Sequence, residues 1–191
     1  MAHNNVEIEI KIQLDEKKFL KVKEQLKSTA KQIKSEREID EYFTPSHRNF
    51  VSPQFPYEWL RLRKKGNSAI ITYKHFHPEN VEKTTHCDEF ESKVENDEQL
   101  QKILKALDFQ KLITVDKSRA TYNYKDEFEI ALDTVQELGN FIEIEALKDF
   151  GSIEAARERL FEYAKQLGID TSNYDLRGYP FMLLKKKGLL K

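Results

Sequence analysis

The sequence predicts an α+β fold, an eight-stranded antiparallel β-barrel, or tunnel, with a charged lumen and amphipathic helices packed outside. Three observations carry this expectation. The run Val6 to Ile12 alternates Val6, Ile8, Ile10 and Ile12 with Glu7, Glu9 and Lys11, the period of a strand with one apolar and one charged face. The same alternation returns at Arg61 and Arg63, Lys74, Glu89 and Glu91, Lys117 and Arg119, Asp133, and Glu143 and Glu145. Helical stripes with spacings of three and four separate these strands and need a sheet to cover. For one isolated run, a surface strand facing water is the simpler explanation; its repetition along the chain favours a charged interior.

The elements follow in order. After the first strand, Asp15 is placed to cap a helix bearing Phe19, Val22 and Leu26 on one side. A second strand is expected over Ile33 to Thr44, with Asp40 and Tyr42 on one face and Ile39 and Phe43 on the other. Thr44 to Pro56 contains Pro45, Pro53 and Pro56 and reads as a loop at the mouth of the tunnel. Strands Tyr57 to Lys64 and Ser68 to Phe76 flank Lys65-Gly66-Asn67, a hairpin turn. A loop over Pro78 to Thr84 leads to a strand from about Thr85 to Val94. Asn96 or Asp97 caps a second helix with Leu100, Ile103, Leu104 and Leu107 along one side. Strands Lys111 to Tyr122, Phe128 to Thr134 and Asn140 to Leu147 follow, joined at Asn123 to Asp126 and Leu138-Gly139. Ser152 caps a third helix through Leu160, Phe161, Ala164 and Leu167, with Gly168 at its C-terminal αL position. Tyr179 to Leu184 is expected to form a short closing helix.

Composition narrows the function. The 191 residues fit a single domain, 1–191, and 34% are charged, yet Lys+Arg 32 against Asp+Glu 33 leaves a net charge of -1. Such balance excludes an unselective nucleic-acid binder, which needs a basic excess. One cysteine, Cys87, rules out an intramolecular disulfide framework and suits a reducing compartment. Met1 to Asn5 is polar and runs straight into the first strand, and no stretch approaches the roughly 20 apolar residues of a membrane span. A cytoplasmic protein with neither nucleic-acid nor membrane partners is expected.

The lumen then holds six cations, Lys11, Arg61, Arg63, Lys74, Lys117 and Arg119, and the carboxylates Glu7, Glu9, Glu89, Glu91, Asp133, Glu143 and Glu145. Burying so many ions costs several kcal/mol apiece unless partners and water compensate, so the arrangement reads as a binding site. Both signs suit a polyphosphate carried with a divalent metal: Arg and Lys donate to the non-bridging oxygens, and hard carboxylate oxygens take Mg²⁺ or Mn²⁺. The duller alternative is a self-satisfied salt-bridge network. Same-face carboxylates are also expected to repel, so that removing one stabilises the fold. His75, His77, His86 and Cys87 admit a zinc site, although loop polarity explains them more simply. Trp59 reads as packing at the tunnel rim rather than a base-stacking platform.

At the residue level the chain resembles the CYTH superfamily of triphosphate tunnel metalloenzymes, which includes class IV adenylyl cyclases and thiamine triphosphatases. Glu7-Ile8-Glu9-Ile10-Lys11 is similar to the family's ExExK signature. Asp40-Glu41-Tyr42-Phe43, Leu60-Arg61-Leu62-Arg63, Thr72-Tyr73-Lys74, Glu89-Phe90-Glu91, Lys117-Ser118-Arg119, Leu132-Asp133 and Leu138 to Glu145 follow in the family's order. Arg177 to Leu184 looks like the family's C-terminal Ser-Tyr-x-x-Leu-Leu but has Gly178 in place of the serine. The resemblance implies metals held by Glu7, Glu9, Asp133, Glu143 and Glu145. It puts the triphosphate among Lys11, Arg61, Arg63, Lys74, Lys117 and Arg119, with Lys11, Arg63, Lys117 and Arg119 in catalytic roles. It implies a class IV cyclase-like enzyme making cyclic AMP and pyrophosphate from ATP, with Mg²⁺ or Mn²⁺. The alternatives are a triphosphatase acting on inorganic, thiamine or nucleoside triphosphate, and a non-catalytic polyphosphate-binding module; a homodimer stays open.

Overall fold

The computed structural model describes residues 5–65, 68–174 and 177–190. Met1 to Asn4, and Gly66 and Asn67 of the expected hairpin turn, lie outside the described residues. The described chain is α+β, with four helices and one nine-stranded antiparallel sheet. In order the elements are β1 (Val6–Glu7), β2 (Glu9–Leu14), α1 (Glu16–Thr29), β3 (Lys31–Pro45), β4 (Glu58–Lys65), β5 (Ser68–His77) and β6 (His86–Val94). They continue as α2 (Asp97–Ala106), β7 (Phe109–Tyr124), β8 (Phe128–Val135), β9 (Gly139–Ala146), α3 (Ile153–Gln166) and α4 (Gly178–Lys186). The sheet order is β1-β6-β5-β4-β3-β7-β8-β9-β2.

Two expectations change here. The predicted first strand is two: β1 lies beside β6 at one end of the sheet order and β2 beside β9 at the other, with Ile8 between them. The recorded pairing is therefore a nine-strand sheet rather than a closed eight-strand barrel. Alternation cannot reveal such a break, because the side-chain period runs through it while the hydrogen-bonding partner changes.

The chain forms two compact units. The first contains residues 1–6, 38–116 and 177–191, and the second 7–37 and 117–176, with β3 and β7 running through both. In the second unit, α3 packs on β2 and β9 and α1 on β9. Their stripes, including Val22, Leu26 and Leu160, meet Ile10, Ile12, Ile142 and Ile144 in one buried core. All three predicted caps form: Asp15 accepts from the Lys18 amide at 2.7 Å, Asn96 from Gln99 at 2.9 Å and Ser152 from Ala155 at 3.1 Å. Helix α3 ends at Gly168, whose φ of +70° only glycine adopts cheaply, and the Ile169 amide reaches back to the Ala164 carbonyl.

In the first unit a smaller core joins Phe43, Leu62 and Ala69 to Leu104 of α2. Ile103 and Leu107, expected to share that buried stripe, are exposed. The tail helix forms as α4 and buries Tyr179, Phe181, Leu183 and Leu184. No helix among the described residues is long and apolar enough to cross a membrane.

Candidate functional site

Because the helices take the apolar face of β2 and β9, the alternate residues Glu9, Lys11, Glu143 and Glu145 share the other face. Register puts Lys11 opposite Glu143 and Glu9 opposite Glu145. The Lys11 ammonium stands 3.0 Å from Glu143 Oε1 and 3.3 Å from Glu9 Oε1. On β7 and β8, Arg119 is the register partner of Asp133 and donates to it through Nε at 2.7 Å and Nη2 at 2.5 Å. Nη2 also donates to Glu143, and Lys117 lies 3.8 Å from Asp133. Lys11, Lys117, Asp133 and Glu143 are all buried.

Glu143 is the electrostatic centre of this group. Burial pushes its carboxyl up, but the charges of Arg119, Lys11 and Lys117 outweigh that and hold it well below the usual carboxylate value. It is thus an ionised, buried acceptor.

The first unit repeats the arrangement with different residues. On β4, Arg61 and Arg63 share a face with Trp59, and their cross-strand neighbours on β3 are Tyr42 and Asp40. Arg63 donates to Asp40 through Nε at 2.7 Å and Nη2 at 2.8 Å, while its Nη1 lies 3.3 Å from Glu38. Arg61 Nη2 donates to Thr72 at 2.9 Å and to Glu91 at 3.2 Å, and Thr72 donates to Glu91 at 2.8 Å. Lys74 pairs with Glu89 at 3.4 Å. Trp59 is buried and packs edge-on to Tyr42 at 5.9 Å, on the same face as Arg61 and Arg63.

Of the residues singled out in the sequence, Glu9, Lys11, Lys117, Arg119, Asp133 and Glu143 come together in one ion network, with Glu145 joined to Glu9 by register. Arg61, Lys74, Glu89 and Glu91 form the counterpart in the first unit, Arg63 pairs with Asp40 and Glu38, and Glu7 stands in β1. Glu38, Asp40 and Thr72 were missed as site residues. All three are almost completely buried. The signal was there, since Glu38, Asp40 and Tyr42 alternate along β3 as Glu7, Glu9 and Lys11 do at the N-terminus.

The five carboxylates expected from the sequence to hold metal offer hard oxygen, the donor type a divalent cation such as Mg²⁺ or Mn²⁺ takes, and Glu143 is held ionised. Among the described residues no three acidic, His or Cys side chains stand grouped as a ready-made metal centre. Instead, the Lys11 ammonium already sits between two carboxylates, Glu9 and Glu143. The zinc alternative finds no support there either. His75, His77 and His86 stack at 4.6 and 5.1 Å, and ring nitrogens of His75 and His77 lie 2.9 Å from Glu79 and Asp88. Cys87 is buried.

The CYTH domain family matches residues 5–179. A Methanocaldococcus jannaschii protein provisionally named an adenylate cyclase is 33% identical over 176 residues, covering 91% of this chain and 96% of that protein. A solved Pyrococcus horikoshii OT3 structure superposes with a TM-score of 0.80 at 32% identity, covering 94% of this chain and 99% of the other. A Hippeastrum protein, provisionally named an adenylyl cyclase and described as revealing a dominant triphosphatase activity, shares the fold at a TM-score of 0.65 and 16% identity over 96% of this chain and 95% of its own.

Proposed function

Because the chain belongs to the CYTH family, we propose that it is a metal-dependent enzyme acting on an organic triphosphate, and that it converts ATP to cyclic AMP and pyrophosphate. The observation that carries this reading is the pair of buried ion networks, which place three cations in each unit on charge-bearing sheet faces: Arg61, Arg63 and Lys74, and Lys11, Lys117 and Arg119. A self-contained salt-bridge core is poor economy, since apolar residues of like volume stabilise as well or better.

In this reading residues 1–191 form a single domain whose sheet closes into a tunnel. Supporting closure, β1 and β2 terminate opposite ends of the sheet order yet are separated in the chain by Ile8 alone. All six cations bind the triphosphate oxygens, with Lys11, Arg63, Lys117 and Arg119 closest to the reaction. Glu7, Glu9, Asp133, Glu143 and Glu145 would hold Mg²⁺ or Mn²⁺, which when bound acts as a Lewis acid toward phosphoryl oxygen.

The reaction itself is an in-line displacement. The substrate's 3′-oxygen forms a bond to the α-phosphorus, the bond from that phosphorus to the bridging oxygen breaks, and pyrophosphate departs with the electron pair while the hydroxyl proton passes to water. Lys117 and Arg119 neutralise the charge gained by the leaving pyrophosphate. Asp133 keeps the Arg119 guanidinium in one plane, so little reorganisation is needed as that charge develops.

A triphosphatase is the second reading, because the same cations can hold a triphosphate with water in line to the terminal phosphorus. Position alone separates the two reactions. Chromatography of products from ATP, tripolyphosphate and thiamine triphosphate with Mg²⁺ or Mn²⁺ decides. Cyclic AMP with pyrophosphate is expected. ADP with orthophosphate, or faster cleavage of tripolyphosphate than of ATP, supports the triphosphatase. Binding of ATP and tripolyphosphate without loss of either would leave only a polyphosphate-binding module.

A further inference from the structure

Arg63 is gripped by two buried carboxylates of β3, and they grip it differently. Asp40 is its register partner and accepts from Nε at 2.7 Å and Nη2 at 2.8 Å, the fork geometry that fixes a guanidinium plane. Glu38, two residues earlier on the same strand face, makes a longer contact of 3.3 Å to Nη1. Both acids are about 1% exposed or less.

We propose that Asp40 is a positioning residue that aims Arg63 at a substrate phosphate, and that Glu38 is an internal competitor for the same guanidinium, which an arriving phosphate oxygen must displace. The assignment rests on the reading of Arg63 as a phosphate-binding residue. The second unit supplies a precedent for the fork: Arg119 is held by its own cross-strand aspartate, Asp133, through the same two nitrogens. It also supplies a contrast, since Glu143 there shares Nη2 with Asp133, whereas Glu38 sits on the third nitrogen, Nη1.

The charges make the two acids act with opposite sign. Each buried carboxylate beside the guanidinium repels an arriving anion. Neutralising Glu38 removes one such repulsion and the competitor together, and leaves the fork in place. Neutralising Asp40 also lightens the charge, but it replaces a bidentate acceptor with an amide that has one acceptor and two donors, so the guanidinium loses its fixed plane. The orientation loss dominates, because Asp40 holds the guanidinium through two charge-assisted bonds while its neutralisation removes only one of two repelling carboxylates.

Titration calorimetry with inorganic tripolyphosphate in the presence of chelator tests this on the whole chain, with thermal melts alongside. Arg63→Ala should weaken binding by about tenfold or more, the scale of one lost charge-assisted contact. Asp40→Asn should weaken it by about tenfold and Glu38→Gln tighten it by about threefold. In turnover assays with ATP, KM should rise in the first of these two acid variants and fall in the second. Shifts of the same sign for the two would overturn the assignment. If Asp40→Asn does not fold, Glu38→Gln still decides, since unchanged or weaker binding in that variant also overturns it. Unchanged binding in Arg63→Ala would instead sink the phosphate-binding reading on which the assignment stands.

Discussion

Glu143 shows what one residue in such a network does to stability. Its carboxyl is pushed up by burial and pulled down harder by Arg119, Lys11 and Lys117, so its folded value lies well below the ordinary one. A group depressed on folding stabilises the protein above its unfolded pKa, and that contribution is lost as pH falls through the folded value. Glu143→Gln should therefore melt lower than wild type near neutral pH and lose less on acidification below about pH 4.5, so that the two melting curves converge. Parallel curves across that range would show that the carboxyl is not coupled to its cations. The expectation drawn from the sequence had the opposite sign, with same-face carboxylates repelling and their removal stabilising. The ion pairs argue against it, because spacing shows which residues share a face but not that Lys11 and Arg119 stand between the acids. Asp40 was legible as a face mate of Tyr42, while its fork to Arg63 depends on register with a strand some twenty residues away.

Among the elements, helices were the most legible because their signals are local. Asp15, Asn96 and Ser152 cap as their side chains require, and Phe19, Val22 and Leu26 bury the stripe their spacing describes. The stripe of α2 was drawn too wide, since only Leu104 is buried whereas Ile103 and Leu107 face outward. A periodic pattern gives direction but not the width of the sheet beneath it. The division of the first strand at Ile8 was hidden for a related reason, namely that a change of partner from β6 to β9 is non-local. Position of the carboxylates depends on these helices, because α1 and α3 cover the apolar face that leaves Glu9, Lys11 and Glu143 on the other. Leu160, fully buried on α3, is the point to test: Leu160→Ala should cost about 2–5 kcal/mol of unfolding free energy. In urea titrations this appears as a lower midpoint with an unchanged slope. A loss below about 1 kcal/mol would mean that α3 is not seated on β2 and β9 as described.

At the scale of the whole molecule, the nearly balanced charge of -1 is consistent with the proposed pairing of a triphosphate with a divalent cation. Every cation assigned to the triphosphate is already in contact with protein carboxylates, as Lys11 is with Glu9 and Glu143, Arg119 with Asp133 and Glu143, and Arg61 with Glu91. Sharing those cations with phosphate oxygens weakens the compensation the carboxylates receive, and buried acids so weakened are costly. A divalent cation on the acids restores the balance, just as the phosphate restores it for Lys11 once a metal has taken Glu9 and Glu143. Each ligand should then raise the affinity for the other by the same factor, as thermodynamic reciprocity demands. The expected result is that Mg²⁺ and tripolyphosphate added together raise the melting temperature by more than the sum of their separate effects, after correction for the complex they form in solution. Chelator should abolish turnover of ATP while leaving weak tripolyphosphate binding. Strictly additive melting shifts, or full turnover in chelator, would show that the carboxylates serve only to hold the cations in place and that the metal assignment of Glu7, Glu9, Asp133, Glu143 and Glu145 is wrong.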